Sequence, residues 1–196
     1  MIKRLFDIIL SFVGIIILIP VFIIVSILIK IDSSGPVFFL QERVGLNGKL
    51  FKIIKFRSMK INHNNSSLTV TIGNDKRITR IGKKIRKYKI DEIPELINVF
   101  IGDMSFVGPR PDVPGYADLL EGENRNILKL RPGITSRASI KYSNEEILLL
   151  NHDDPIAFNN KVIFPDKVKM NLNYYENNNI WIDIKIIFAT LYAILD

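Results

Sequence analysis

The residues from Leu5 to Ile29 form an apolar run interrupted only by Asp7, Ser11, Gly14, Pro20 and Ser26, with Lys3 and Arg4 before it and Lys30 after it. Such a run places the chain beside a bilayer. A signal peptide would have a shorter apolar core and a small-residue cleavage site, and no Ala-x-Ala pattern follows here. A straight helix of about 25 residues reaches about 37 Å, longer than the roughly 30 Å hydrocarbon layer. Length therefore favours a spanning helix. Pro20 removes a backbone hydrogen bond inside the run and leaves open a kinked helix that enters and leaves on one face. Basic residues at both ends give no orientation.

Setting aside about thirty residues leaves enough chain for one modest domain. Ser33-Ser34-Gly35-Pro36 is a turn cluster and marks the boundary. The expected organisation is a membrane segment over 1–32 and a globular domain over 33–196. A net charge of +7 and a pI near 9.5 suit anionic lipid or a phosphorylated substrate. The same charge suits nucleic acid, but no zinc finger, RNA-recognition signature or interleaved aromatic and basic platform accompanies it, so nucleic acid is not expected as a partner. There is no cysteine, which excludes a disulfide framework, and His63 and His152 lack any zinc-type spacing.

The domain reads as α+β and mainly helical. Val37–Leu40 and Leu50–Phe56 flank an Asn47-Gly48 turn and predict a short β-hairpin. Lys60–Asp75 is rich in Asn and Ser and reads as a surface loop. From Asp75 onward, Ile78, Ile81, Ile85 and Tyr88 line one face of a basic amphipathic helix. Trp181–Leu195 suits an interfacial helix with Trp181 and Tyr192 near head-group level, and its pattern fits a core helix equally well.

Asp91-Glu92 precedes an apolar stripe of Ile93, Leu96, Ile97 and Phe100. One reading is structural: Asp91 caps a helix whose first turn tolerates Pro94. The other is chemical, because a carboxylate beside free N–H groups stays ionised where phosphate oxygens are attracted, which suits an acyl-phosphate nucleophile. Downstream, Gly108-Pro109-Arg110-Pro111 restrains the backbone around one guanidinium, and Arg131-Pro132-Gly133-Ile134-Thr135 repeats the device. Lys55-Phe56-Arg57-Ser58-Met59 adds positive charge.

Together with Lys3-Arg4-Leu5-Phe6-Asp7, these motifs in this order resemble the small monotopic phosphoglycosyl transferases, bacterial sugar transferases that start glycan assembly on a polyprenol carrier. The resemblance covers nearly the whole chain. It implies a re-entrant helix-break-helix with Pro20 at the break and the domain on the cytosolic face of the bacterial inner membrane. It also implies that Asp91 attacks a UDP-sugar, releases UMP and passes the phosphosugar to polyprenol phosphate, with Mg²⁺ as cofactor. Arg110, Arg131 and Arg86 are then charge-neutralising candidates, and Lys55, Arg57, Pro111 and Thr135 line the substrate site. Glu92 either joins Asp91 in holding Mg²⁺ or assists the lipid phosphate. Membrane lipids, downstream glycosyltransferases and a second copy of the chain are further partners the resemblance allows. Two departures stand out: Ile19 replaces the serine common before the membrane proline, and Ser136-Arg137-Ala138-Ser139 replaces the common Gly-Trp-Ala-Gln. A catalytically inert membrane scaffold is the alternative reading. A two-domain glycosyltransferase would need a longer chain and an Asp-x-Asp motif.

Overall fold

The computed structural model describes residues 2–60 and 77–195. Helix α1 runs from Ile2 to Asp32, and Pro20 lies inside it with helical structure continuing on both sides. A break there reduces to the one backbone bond that proline cannot donate.

Strands β1 (Phe38–Val44) and β2 (Leu50–Phe56) form the expected antiparallel hairpin, in register from Phe38 opposite Phe56 to Val44 opposite Leu50. The turn contains Asn47 at φ 56° and Gly48 at φ 78°, the left-handed backbone that these two residue types tolerate best. The first strand is longer than its apolar start suggested, because register carries Gln41, Glu42 and Arg43 into the ladder.

Helix α2 covers Arg80–Lys87 and is capped by Thr79, whose hydroxyl accepts from Gly82 N at 2.9 Å. Ile78 instead forms an isolated bridge with Met59, and the surface loop expected over Lys60–Asp75 lies almost entirely outside the described residues. Asp91 does not cap a helix. The chain leaves α2 through Lys89 at φ 55°, makes a 3-10 turn over Ile90–Glu92, and enters α3 (Glu95–Ile101) after Pro94. Proline fits there because a helix start has no bond for its missing N–H to make.

Beyond α3, strands β3 (Ser105–Val107) and β4 (Gly133–Thr135) pair in parallel, followed by α4 (Arg137–Lys141), α5 (Glu145–Leu150), α6 (Pro155–Phe158), α7 (Phe164–Asn177) and α8 (Ile180–Leu195). On α8, Asp183 and Ile186 are buried while Trp181, Phe188 and Tyr192 are exposed, so the helix is neither a plain core helix nor detached from the core.

The long helix lies along the domain rather than projecting from it. Near its start, Arg4 donates to the carbonyls of Val99 (2.6 Å) and Phe100 (2.8 Å), Lys3 pairs with buried Asp183 at 2.6 Å, and Asp7 accepts from Phe106 N at 3.2 Å. Near its end, Val25 and Ile29 share a core with Phe56 and Ile85. The opposite side of α1 stays apolar and exposed, at Ile9, Ile16, Ile17, Ile23, Ile24 and Ile27 among others.

Candidate active site

A side chain on α3 sets the geometry. Asn98, fully buried, accepts from Ile54 N at 2.9 Å and donates to Lys52 O at 2.8 Å, taking the place of a missing strand partner along β2. This brings Lys55 to the entrance of α3. Its ammonium lies 2.8 Å from Glu92 and 3.2 Å from Glu95. Arg110 reaches the same carboxylate of Glu92 at 2.6 Å.

Arg110 arrives there through a close backbone packing. A Cβ on Gly108 would stand 2.2 Å from Arg131 O, and one on Gly133 would stand 2.1 Å from Gly108 N. Only glycine permits this approach, which lets Gly108 N donate to Thr135 O (3.0 Å) and Gly133 N to Pro109 O (2.8 Å). The chain leaving β3 is thereby held against β4, and Arg110 follows directly.

Three carboxyls in this cluster meet three different environments. Burial raises Glu92, but the charges and hydrogen bonds of Arg110 and Lys55 overcome it and hold the group well below the usual carboxylate range. Glu95, buried in α3 with Oε1 3.2 Å from the Lys55 ammonium, is pushed up to about 7, chiefly by burial and against the pull of Lys55. Asp91 is raised by burial and by the neighbouring charge of Glu92, against the pull of Lys55, Arg86 and Lys89. Its carboxylate makes no hydrogen bond among the described residues. It is thus partly desolvated, flanked by the charges of Lys55, Arg86 and Lys89, and without a hydrogen-bond partner among the described residues.

The structure brings Asp91, Glu92, Lys55, Arg110 and Arg86 together. Four other residues expected at the site have different surroundings. Arg57 is buried and donates to the carbonyls of Ser33 (2.7 Å) and Ser34, at the end of α1. Arg131 donates to Gly102 O at 2.9 Å, and Thr135 bonds Thr190 of α8 at 2.6 Å. Pro111 is buried, and its carbonyl accepts from Arg43 at 3.3 Å. Among the described residues no group of three His, Cys, Asp or Glu side chains forms a metal cage.

The profile of the bacterial sugar transferase family matches residues 1–196, the whole chain. This protein belongs to that family. The chain is 36% identical over 196 residues to UDP-glucose:undecaprenyl-phosphate glucose-1-phosphate transferase of Escherichia coli (strain K12), covering 98% of this chain and 40% of the relative. It is 40% identical over 196 residues to undecaprenyl-phosphate glucose phosphotransferase of Komagataeibacter xylinus, covering 96% and 35%. To exopolysaccharide production protein PSS of Rhizobium leguminosarum bv. phaseoli it is 38% identical over 197 residues, covering 96% and 92%. The chain thus spans less than half the length of the first two relatives.

In this bacterial sugar transferase, sequence reasoning missed Arg43, Glu95, Asn98 and Asp112. Glu95 lies one helical turn beyond Glu92, a spacing that predicts a shared face. Arg43 alternates with Phe39 and Gln41 along β1, on the face that register places beside Lys55. Asp112, next to Pro111, is pushed up to about 6 by burial, opposed by Lys167, Arg43 and Arg110. No local pattern marks it.

Proposed function

We propose that this chain moves a sugar-1-phosphate from a UDP-sugar to a polyprenyl phosphate, undecaprenyl phosphate being the acceptor named for two of its relatives. The observation that carries the reading is the unengaged Asp91 carboxylate beside a Glu92 locked by Lys55 and Arg110. A carboxylate oxygen of Asp91 attacks the phosphorus that bears the sugar. The phosphoanhydride bond breaks, UMP leaves, and an aspartyl-phosphosugar remains. An oxygen of polyprenyl phosphate then attacks the same phosphorus, expels the Asp91 carboxylate and yields the polyprenyl diphosphate sugar. Two anions approach each other in each step, so the cations matter most. Arg110, Lys55 and Arg86 lower the repulsion and stabilise charge on the transferring phosphoryl oxygens.

The carboxylates fit Mg²⁺ of the type held by a carboxylate and substrate phosphates with several waters retained. Asp91 would hold it, since Glu92 is engaged by two cations, and the ion would neutralise charge on the diphosphate.

The site works at a membrane surface, with the domain on the cytosolic face of the bacterial inner membrane and α1 entering and leaving the same leaflet. The packing of both ends of α1 against one domain supports this arrangement over a spanning helix. The exposed aromatic side of α8 supports interfacial seating.

The test is nucleotide release by the full chain in nanodiscs with Mg²⁺, undecaprenyl phosphate and a panel of UDP-sugars. UMP from one donor, abolished by Asp91→Asn, is the expected outcome. UDP release would indicate ordinary glycosyl transfer, and wild-type turnover by Asp91→Asn would remove the nucleophile assignment. Membrane binding without turnover of any donor would favour a scaffold.

A further inference from the structure

Arg43 is a cation without a counter-ion among the described residues, in the middle of a charged cluster. It lies on β1, held beside the loop after β3 by two contacts: Val44 N donates to Asp112 O at 2.9 Å, and Arg43 Nη1 donates to Pro111 O at 3.3 Å. Its Nη2 donates to Gln41 Oε1 at 2.6 Å. Those are the acceptors it finds among the described residues, so most of the five N–H donors of a guanidinium are left unmatched. Nε is buried with no partner. Arg43 makes no ion pair among the described residues, whereas its neighbour Arg110 has Glu92.

Burial and the nearby charge of Arg110 both disfavour the charged form of Arg43, while Asp112, Glu95 and Glu92 favour it from a greater distance than a salt bridge. An arginine in a protein does not escape by losing its proton. A half-buried guanidinium beside another cation, with donors unmatched, is costly unless an anion completes it. Gln41 fixes the orientation of the fork, which lowers the entropy cost of meeting a planar or tetrahedral oxyanion.

We infer that Arg43 and Arg110 form a two-guanidinium subsite for a substrate phosphate, distinct from a role of Arg43 in holding the fold. The inference rests on the phosphosugar-transfer reading. The same chemistry is carried by two sources, the diphosphate of the donor and the terminal phosphate of the polyprenyl acceptor. Arg110, by contact with Glu92, reaches toward Asp91, and Arg43 extends the positive surface away from it along β1. A single phosphoryl group at Asp91 therefore leaves Arg43 to hold a second one.

The experiment measures binding rather than turnover, so it stands apart from the activity test. Full-length protein in detergent is titrated with UDP and, separately, with farnesyl phosphate, at fixed pH and ionic strength, for wild type and Arg43→Gln. Loss of about 10- to 100-fold in affinity for one of the two, the range expected for charge-assisted hydrogen bonds, supports the subsite and names its source. The thermal midpoint should stay within a few degrees of wild type. Unchanged affinity for both ligands overturns the inference, as does equal loss for both accompanied by a collapsed midpoint. Arg43→Lys keeps the charge and the stem but not the fork, and is expected to fall between the other two proteins. Should Arg43→Gln fail to fold, wild-type affinity in Arg43→Lys overturns the inference. Failure of wild type to bind either ligand overturns it together with the proposed function. Binding with wild-type affinities in Arg43→Gln overturns it alone.

Discussion

Replacing Glu95 by Gln should stabilise the protein at alkaline pH and leave it unchanged at acid pH. Glu95 is 2% exposed, has only the Lys55 ammonium beside it as a favourable charge at close range among the described residues, and is pushed up to about 7 from the usual 4.5, chiefly by burial. Between those two values the folded protein binds more protons than the unfolded chain, so rising pH favours unfolding across that window. Below about 4.5 both states are protonated and the carboxyl is neutral to stability. Above about 7 the full penalty of an ionised buried group is present. The difference of about 2.5 units corresponds to about 3 kcal/mol at 1.36 kcal/mol per unit. Glutamine has nearly the same shape and never ionises, so it escapes this penalty. Lys55 loses one carboxylate neighbour in the exchange but keeps Glu92 at 2.8 Å, which limits the offsetting loss. A net gain of about 2–3 kcal/mol at pH 8 should raise the thermal midpoint by about 5–10 °C in a chain of this size. The assay is the midpoint of wild type and Glu95→Gln in one detergent, from pH 4.5 to 8.5. A difference that does not grow with pH, or a less stable variant at pH 8, would refute the reasoning.

Two further outcomes follow from the packing. Gly133→Ala would push a methyl group to 2.1 Å from Gly108 N, displacing β4 from β3 and Arg110 from Glu92. We expect loss of more than about 3 kcal/mol and no folded, active protein at 37 °C, read by detergent-phase thermal unfolding. The chain has no cysteine, so single cysteines are clean topology probes. Ile2→Cys and Ser34→Cys flank α1 at exposed positions, and in oriented vesicles a membrane-impermeant maleimide should label both from the same side. Labelling from opposite sides would establish a spanning helix.

The hairpin was legible because its signals are local: an Asn-Gly turn between two apolar runs dictates both the strands and the left-handed backbone between them. The basic helix was legible in the same way, although its start depends on Thr79 as cap rather than on Asp75. Of the two readings the pattern allows for Asp91, the helix cap fails, because Lys89 in left-handed backbone and Pro94 at the helix entrance shift the start to Glu95 and leave Asp91 in a tight turn. Within the site, motif order marked Lys55, Asp91, Glu92 and Arg110 as charged groups of interest. It carried no information on how they meet, because Lys55 and Glu92 are separated by 37 positions and come together where Asn98 ties α3 to β2. Arg57 shows the limit most plainly. It stands two residues from Lys55 in the same motif, yet the strand has ended and its guanidinium turns to the carbonyls that close α1. Arg43 was overlooked because a charged residue in a strand becomes meaningful only once register names its neighbours.

The long apolar helix is an integral part of the hydrophobic core, which has a consequence for anyone seeking a water-soluble fragment. Cutting the chain after Asp32 would strip Phe56 and Ile85 of Val25 and Ile29, leave Asp183 without Lys3, and free the backbone of Phe106 from Asp7. Removal of the helix is therefore expected to yield an unfolding chain in place of a detached domain. Any disturbance of the helix is therefore felt at Phe56, which packs against Val25 and Ile29 one residue beyond Lys55 in the site.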